Sequence, residues 1–302
     1  VVATIPAGEK PRGTVLSPDG RTAWVSDQPK NELVVIDLAA KKRTGTVPVG
    51  ASPEGVGISA DGKWVVAAVE ETNEIVFVDT RSNTKSFAVT VRGKNPEHAV
   101  FSPDGEIVFV DTATNTKAFT VAVRGKNPEH AVFTPDGRYV FVSAEDGQAV
   151  DIVEVARRRQ VAQIPVGVRP RGIAFSPDSR TAYVAAESSN EVYVIDAVGF
   201  KVLQKIRAGL RSNGVAVHPD GKRLYVSNGG DATVSVIDLA SGSAVATIGV
   251  GQRPWNMALT PDGKKLYVAC GRSGSVSVID TEKNAKVADV AVGKLPWGVA
   301  IR

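Results

Sequence analysis

Residues 250–280 read VGQRPWNMALTPDGKKLYVACGRSGSVSVID. The stretch is a glycine turn, an alternating strand, a Pro-Asp-Gly turn, a second strand, a polar turn and a third strand closing on Ile279-Asp280. The rest of the chain repeats it. The turn aspartates fall at Asp19, Asp61, Asp104, Asp136, Asp178, Asp220 and Asp262, at spacings of 42, 43, 32, 42, 42 and 42 residues. A fixed period of this size marks a stacked or radial repeat architecture.

Each repeat carries four short runs of period-two alternation, rich in Val, Ile, Tyr and Thr and separated by Gly, Pro, Asp and Asn. These are strands and tight turns. Around Asp178 the expected strands are residues 172–175, 181–185, 191–195 and 202–206. No segment sustains a helical period. Asp and Gly suit a turn that needs a side-chain bond and a positive φ, so the turn aspartates read as structural. The aspartates that close third strands (Asp37, Asp79, Asp196, Asp238, Asp280) read as caps of the next turn.

Four antiparallel strands per repeat of about 40 residues describe a β-propeller blade, whose first strand lines a central channel. The expected fold is all-β: a seven-bladed β-propeller of four-stranded antiparallel blades, a single domain over residues 1–302. The 32-residue spacing has a visible origin, because residues 83–105 recur almost unchanged as 115–137. Between Gly105 and Thr112 there is room for one strand where other repeats have two. Counting turns gives seven blades. Counting inner strands, including one expected at 297–301, gives eight with one incomplete. Residues 1–5 read as an outer strand.

The 302 residues are 43% hydrophobic, ample for a core. Lys and Arg total 36 against 32 Asp and Glu, a net charge of +4 that does not by itself demand nucleic acid. The single cysteine, Cys270, excludes an internal disulfide and any Cys-rich metal or haem motif. It falls near the end of a second strand with no histidine close by, and reads as a buried, inert thiol. No apolar run approaches the ~20 residues of a membrane span. The chain opens at Val1 in mid-repeat without an initiator Met, which reads as a processed form with its export signal removed. The expected location is periplasmic or extracellular.

The pattern Tyr-Val…Val-x-Val-Ile-Asp at 183–196, 225–238 and 267–280 resembles the YVTN-type β-propeller repeat family over essentially the whole chain. The loops GQRPWN (251–256) and GKLPWGVAIR (293–302) are similar to the end of the exported propeller proteins associated with pyrroloquinoline-quinone-dependent alcohol oxidation. The resemblance implies seven blades, export, and a binding or scaffold role beside such an oxidation system.

One position varies between repeats while its surroundings stay constant. Just before each inner strand stand Arg12, Glu54, Glu97, Glu129, Arg171, Asn213, Trp255 and Trp297. Equivalent positions around an axis form a ring, and function tends to live in loops on a rigid scaffold. His98, His130 and Asn256 follow where most repeats have Gly, and a basic rim precedes the ring: Lys10, Lys94, Lys126, Arg169, Arg211, Arg253 and Lys294. The tryptophans offer flat surface for a planar ring or a partner's loop, and Arg12 and Arg171 suit a carboxylate held bidentately. The expected ligand-binding residues are therefore Arg12, Glu54, Glu97, Glu129, Arg171, Asn213, Trp255, Asn256 and Trp297. The expected partner is a protein or a small anionic or aromatic ligand.

No cofactor is expected. Glu97, His98, Glu129 and His130 supply a plausible metal-ligand set, but a Glu-His pair in a strand sends successive side chains to opposite faces. His218 lies in a turn on the other face and reads as solvated. There is no Gly-x-Ser-x-Gly elbow and no phosphate loop, and the interleaved glutamates speak against nucleic acid. The favoured function is a non-catalytic binding or interaction propeller. The alternative is a metal-dependent propeller lactonase or lyase using a Glu/His site at the channel mouth.

Overall fold

Within each described sheet every strand pairs antiparallel with the next in sequence, so the chain folds as a run of meanders. The computed structural model describes residues 3–59, 61–72, 74–90, 101–102, 106–111 and 116–301. Six sheets have four strands. Their first strands are Pro11–Leu16, Pro53–Ile58, Pro128–Phe133, Pro170–Phe175, Ser212–Val217 and Pro254–Leu259, and the sheets are named blades one to six in that order. The fourth blade, around Asp178, consists of Pro170–Phe175, Thr181–Ala186, Glu191–Asp196 and Lys201–Arg207, each within two residues of its sequence expectation. Between blades two and three a three-stranded sheet pairs Phe101–Ser102, Glu106–Asp111 and Thr116–Ala122. The short repeat thus holds a single strand where the others hold two. The protein is an all-β propeller of four-stranded antiparallel blades.

Among the described residues neither terminal segment expected as a strand is one. Residues 3–8 and 297–301 are irregular, so the eighth inner strand is absent among the described residues. Contacts divide the chain into two compact units. The unit Val1–Ala122, with Arg302, holds blades one and two and the three-stranded sheet; the unit Val123–Ile301 holds blades three to six.

Within the second unit, adjacent blades pack face against face, so second and third strands are buried on both sides. Strand Thr181–Ala186 shows how the alternation is used. Ala182, Val184 and Ala186 join Phe141 and Ile152 of the third blade in one apolar layer. Tyr183 turns the other way and joins Leu224, Val226 and Ile237 of the fifth blade. Successive side chains of a strand point to opposite faces, and here both faces are cores. In the first unit, Trp24, Leu33 and Val35 of blade one meet Val65, Ala67 and Val76 of blade two in the same way.

The turn chemistry follows the sequence reading. In the turns of Asp19, Asp61, Asp136, Asp178 and Asp262, a Ser or Thr hydroxyl two residues earlier donates to Oδ1 at 2.5–2.6 Å. The same oxygen accepts the backbone N–H two residues later at 3.0 Å. The aspartates closing third strands cap the next turn, as Asp196 does by accepting from Val198 N and Gly199 N at 3.0 and 2.9 Å. Asp104 lies outside the described residues.

Candidate functional site

In all six blades the pairing of first to second strand slips near its start. In the fourth blade Pro170 faces Ala186, yet the next recorded pair is Ile173 with Val184. The extra residue makes a bulge, a device that re-aims a side chain. The residue it re-aims is the variable one: Arg12, Glu54, Glu129, Arg171, Asn213 and Trp255 all sit in such a slip. The glycine that commonly follows has a steric reason. A Cβ on Gly172 would lie 2.7 Å from the Asn213 carbonyl of the next inner strand.

Two further positions repeat beside the bulge. One is the residue after the second strand: Gln28, Glu70, Glu145, Glu187, Gly229 and Gly271. The other precedes the first strand: Lys10, Ser52, Asn127, Arg169, Arg211 and Arg253. In every blade the N–H of the former donates to the carbonyl of the latter, at 2.8–3.2 Å. Ser52, Asn127, Arg169, Arg211 and Arg253 are left-handed, with φ of 63, 54, 57, 55 and 55°. Asn tolerates that region; arginine is uncommon there, and such a conformation is held at a cost of order 1–3 kcal/mol. Three successive blades hold an arginine so.

In the first unit the group is closed on itself. Arg12 donates from Nε and Nη2 to the two oxygens of Glu54 at 2.7 and 2.9 Å. Gln28 Nε2 also donates to Glu54, and Ser52 Oγ donates to Glu70 at 2.9 Å. The carboxylate that Arg12 holds bidentately is therefore the protein's own.

In the second unit Arg171 gathers three buried carboxylates. Its Nε donates to Glu187 at 2.9 Å, Nη1 pairs with Glu129, and the same nitrogen lies 3.4 Å from Glu145. Arg169 Nη2 pairs with Glu145 at 2.5 Å and its Nε lies 3.9 Å from Glu187. The side chains of Glu129, Glu145 and Glu187 are 11–12% exposed. Beside this cluster opens a cavity of about 250 Å³. Glu187 forms one edge, Arg211, Arg253 and Arg272 supply cations, and Trp255 and Gly229 complete the wall. Arg253 lies over Trp255, its Cζ 4.6 Å from the ring centroid, and Trp255 meets Trp297 edge to face. Burial and then the neighbouring charge of Arg272 hold the Arg253 guanidinium below the ordinary arginine range.

The expected ring is thus divided. Arg12 and Glu54 pair in the first unit; Glu129, Arg171, Trp255 and Trp297 belong to the second. Asn213 and Asn256 stand half-buried at their bulges. Glu97, His98 and Lys94 lie outside the described residues. Glu145, Glu187 and Arg272 were not among the expected residues, although comparing the residue after each second strand shows Gln, Glu, Glu, Glu, Gly and Gly in chain order. His218 is buried rather than solvated. Its Nδ1 lies 2.8 Å from Asp220 and its Nε2 3.1 Å from the Gly263 carbonyl, which ties the fifth blade to the sixth.

Of the four candidate metal ligands, Glu97 and His98 lie outside the described residues. Where Glu129, Glu145 and Glu187 converge, the cation is Arg171, and His130 Nδ1 lies 3.8 Å from Glu129. Among the described residues no group of three or more His, Cys, Asp or Glu is arranged to hold a metal ion.

Two family models match parts of the chain: "Lactonase, 7-bladed beta-propeller" over residues 156–292 and "Cytochrome D1 heme domain" over residues 93–216. No curated protein matches it. Among solved structures the chain is similar to dihydro-heme d1 dehydrogenase NirN in complex with DHE, with a TM-score of 0.78 and 20% identity, covering 95% of this chain and 67% of that one. It is also similar to Kuenenia stuttgartiensis hydrazine synthase, with a TM-score of 0.65, 20% identity, and 95% and 88% coverage. A functionally unknown protein from Desulfotomaculum acetoxidans DSM 771 gives 0.65, 16%, and 96% and 88%. At these identities the structural likenesses show the fold. The family models correct the function expected from the sequence: they describe a lactonase and a haem domain, and a purely non-catalytic docking module is overturned by them.

Proposed function

We propose that the chain is a hydrolase or lyase of the propeller-lactonase type, working at the cavity beside Glu187. The observation that carries this is the double position of Glu187. One side of its carboxylate is held by Arg171 at 2.9 Å, and the residue also borders the arginine-rimmed cavity. The lactonase match over 156–292 supports the reading, because it spans Arg169, Arg171, Glu187, Arg211, Arg253 and Arg272.

In ring opening, water adds to the lactone carbonyl and the acyl C–O bond breaks. Glu187 takes one proton from the attacking water and returns it to the departing alkoxide, so the carboxylate is regenerated. The carbonyl oxygen gains negative charge as water adds, and the guanidinium group of Arg211, on the cavity wall with Glu187, offers a donor for it. Arg171 and Arg169 hold Glu187 in one geometry. No metal is assigned a part, since the carboxylates close on arginine.

A haem reading draws on the second family match and on the likeness to NirN. The cavity does not fit it. At about 250 Å³ it falls below the range of drug-sized pockets, and its lining holds no His, Cys, Met or Tyr to ligate iron.

The same reading takes residues 1–302 as one exported propeller of seven blades, six complete and one three-stranded, akin to the YVTN-type repeat proteins. The test is a pH-stat assay on γ- and δ-lactones, in which each ring opened releases one acid. Turnover that falls about 10²–10⁴-fold in Glu187→Gln is expected for loss of a general base. Absence of any ring opening, or equal rates in the variant, would sink the reading.

A further inference from the structure

The repeats serve as one another's control. Arg169 precedes the first strand of the fourth blade, and two residues that follow second strands flank it: Glu145 of the third blade at 2.5 Å and Glu187 of its own blade at 3.9 Å. The same rule places Arg211 between Glu187 and Gly229, and Arg253 between Gly229 and Gly271. Arg169 therefore has two carboxylates, Arg211 has one candidate, and Arg253 has none. Arg211, Arg253 and Arg272 form no ion pair among the described residues, yet all three line one cavity.

The two glycines are not demanded by the backbone. A Cβ on Gly229 or Gly271 would meet nothing closer than 3.5 Å, ordinary van der Waals contact. Their effect is to leave empty the space that Glu145 and Glu187 fill one and two blades earlier. Three guanidinium groups then share a cavity from which the matching carboxylates have been deleted. Guanidinium forks match carboxylate and phosphate oxygens; Arg253 is half-buried while Arg211 and Arg272 stand exposed at the rim, so the three form an open cationic mouth that an anion can enter from solvent.

We propose that this cavity is a binding site for a small doubly charged oxyanion, with Arg253 as its centre and Arg211 and Arg272 beside it. The ligand supplies the two negative groups that Gly229 and Gly271 lack. A volume of about 250 Å³ equals roughly eight waters at ~30 Å³ each, room for a short dicarboxylate or for phosphate. Burial first, and then the charges of Arg272 and Arg211, hold Arg253 below its ordinary range against the opposing pull of Glu187, and an anion offsets the repulsion between the arginines. As the acid-bearing end of a substrate, the inference rests on the hydrolytic reading above; as an anion site it stands on the geometry alone.

The experiment is calorimetric titration of the full chain at low ionic strength with malonate, inorganic phosphate and acetate, alongside Trp255 emission, since Arg253 stacks on that ring. Saturable binding of malonate or phosphate, at least 10-fold tighter than acetate, is expected. The tighter of the two tells a dicarboxylate from a phosphate group. Gly229→Glu should abolish binding, Gly229→Ala should keep it within about 3-fold, and Arg253→Gln should weaken it at least 10-fold. If Gly229→Glu does not fold, Arg253→Gln decides. No saturable binding of either dianion overturns the site, as does unchanged affinity in Gly229→Glu or Arg253→Gln. Anion binding without any lactone turnover sinks only the hydrolytic reading. Glu187-dependent opening of neutral lactones without anion binding sinks only this one.

Discussion

Arg171 donates from Nε to Glu187 Oε2 at 2.9 Å, and the same guanidinium neutralises Glu129 and Glu145. Arg171 is thus the one cation that touches all three carboxylates, each about nine-tenths buried, with Arg169 as a second cation at Glu145 and Glu187. Removing one partner of a buried charge cluster costs about 3–5 kcal/mol, because the others are left uncompensated. Arg171→Met is expected to lose stability in that range in denaturant melts. Arg171→Lys should fall between, since a single ammonium cannot fork to several carboxylates. A loss below about 1 kcal/mol for Arg171→Met would show the cluster to be held by Arg169 instead.

The bulge position was legible in the sequence because its identity changes from Arg12 to Trp255 while a Pro before it and a Gly after it recur in most repeats. The second position was equally regular, from Gln28 to Gly271, but a residue after a second strand looks like any polar turn until its partner is known. That partner comes from the neighbouring blade: Arg169 meets Glu145 only because one inner strand lies beside the next. Alternation along a single strand carries no such information. The terminal segments read as strands alternate apolar residues, yet the described residues 3–5 and 297–301 pair with no strand among the described residues. His218 looked solvated because it lies in a Pro-Asp-Gly turn, away from the variable ring. A ring that reaches the Gly263 carbonyl of the next blade becomes buried.

Acid should unfold the propeller through its turns. The Ser59 hydroxyl and then the Lys63 backbone N–H hold Asp61 down to about 2, from an ordinary 3.8. Asp136, Asp178 and Asp262 are lowered first by Thr134, Ser176 and Thr260. Such groups bind protons less tightly when folded, so their contribution is full above about pH 4 and is lost as pH falls toward 2. Asp151 works in the opposite direction. Burial raises its pKa, despite donors from Gly125, Gln163 and Gln160, so its contribution weakens as pH rises through its folded value. The turn carboxylates outnumber it. Stability measured by urea melts should therefore drop between pH 4 and 2, and Ser59→Ala should move part of that drop upward. A profile flat over that interval would contradict the account.

Cys270 ends the second strand of the sixth blade with its thiol sealed between Val268 O at 3.4 Å and Ser277 Oγ at 3.5 Å. A thiol with no solvent access reacts only when the blade opens. Labelling by a thiol reagent should be slow in native buffer and accelerate sharply across the unfolding transition. Fast native labelling would mean that the sixth blade opens locally, and with it the wall of the arginine cavity.

Two glycine-to-alanine substitutions separate close packing from open space. At Gly172 an added Cβ would stand 2.7 Å from the Asn213 carbonyl and 3.3 Å from Val215 N, both backbone atoms of the next inner strand. Neither can swing aside as a side-chain end would, so the fourth and fifth blades must separate or the bulge must shift. Overpacking of this kind costs typically 1–3 kcal/mol. At Gly229 the same change meets only ordinary contacts from 3.5 Å outward, and the methyl group restricts the unfolded chain, which alone is worth about 0.4–1 kcal/mol in favour of folding. Gly172→Ala should therefore lower the melting temperature while Gly229→Ala leaves it level or raises it. The opposite order would mean that the glycine beside the arginines is there for the backbone, and that the cavity is a by-product of the turn rather than a place kept empty for a ligand.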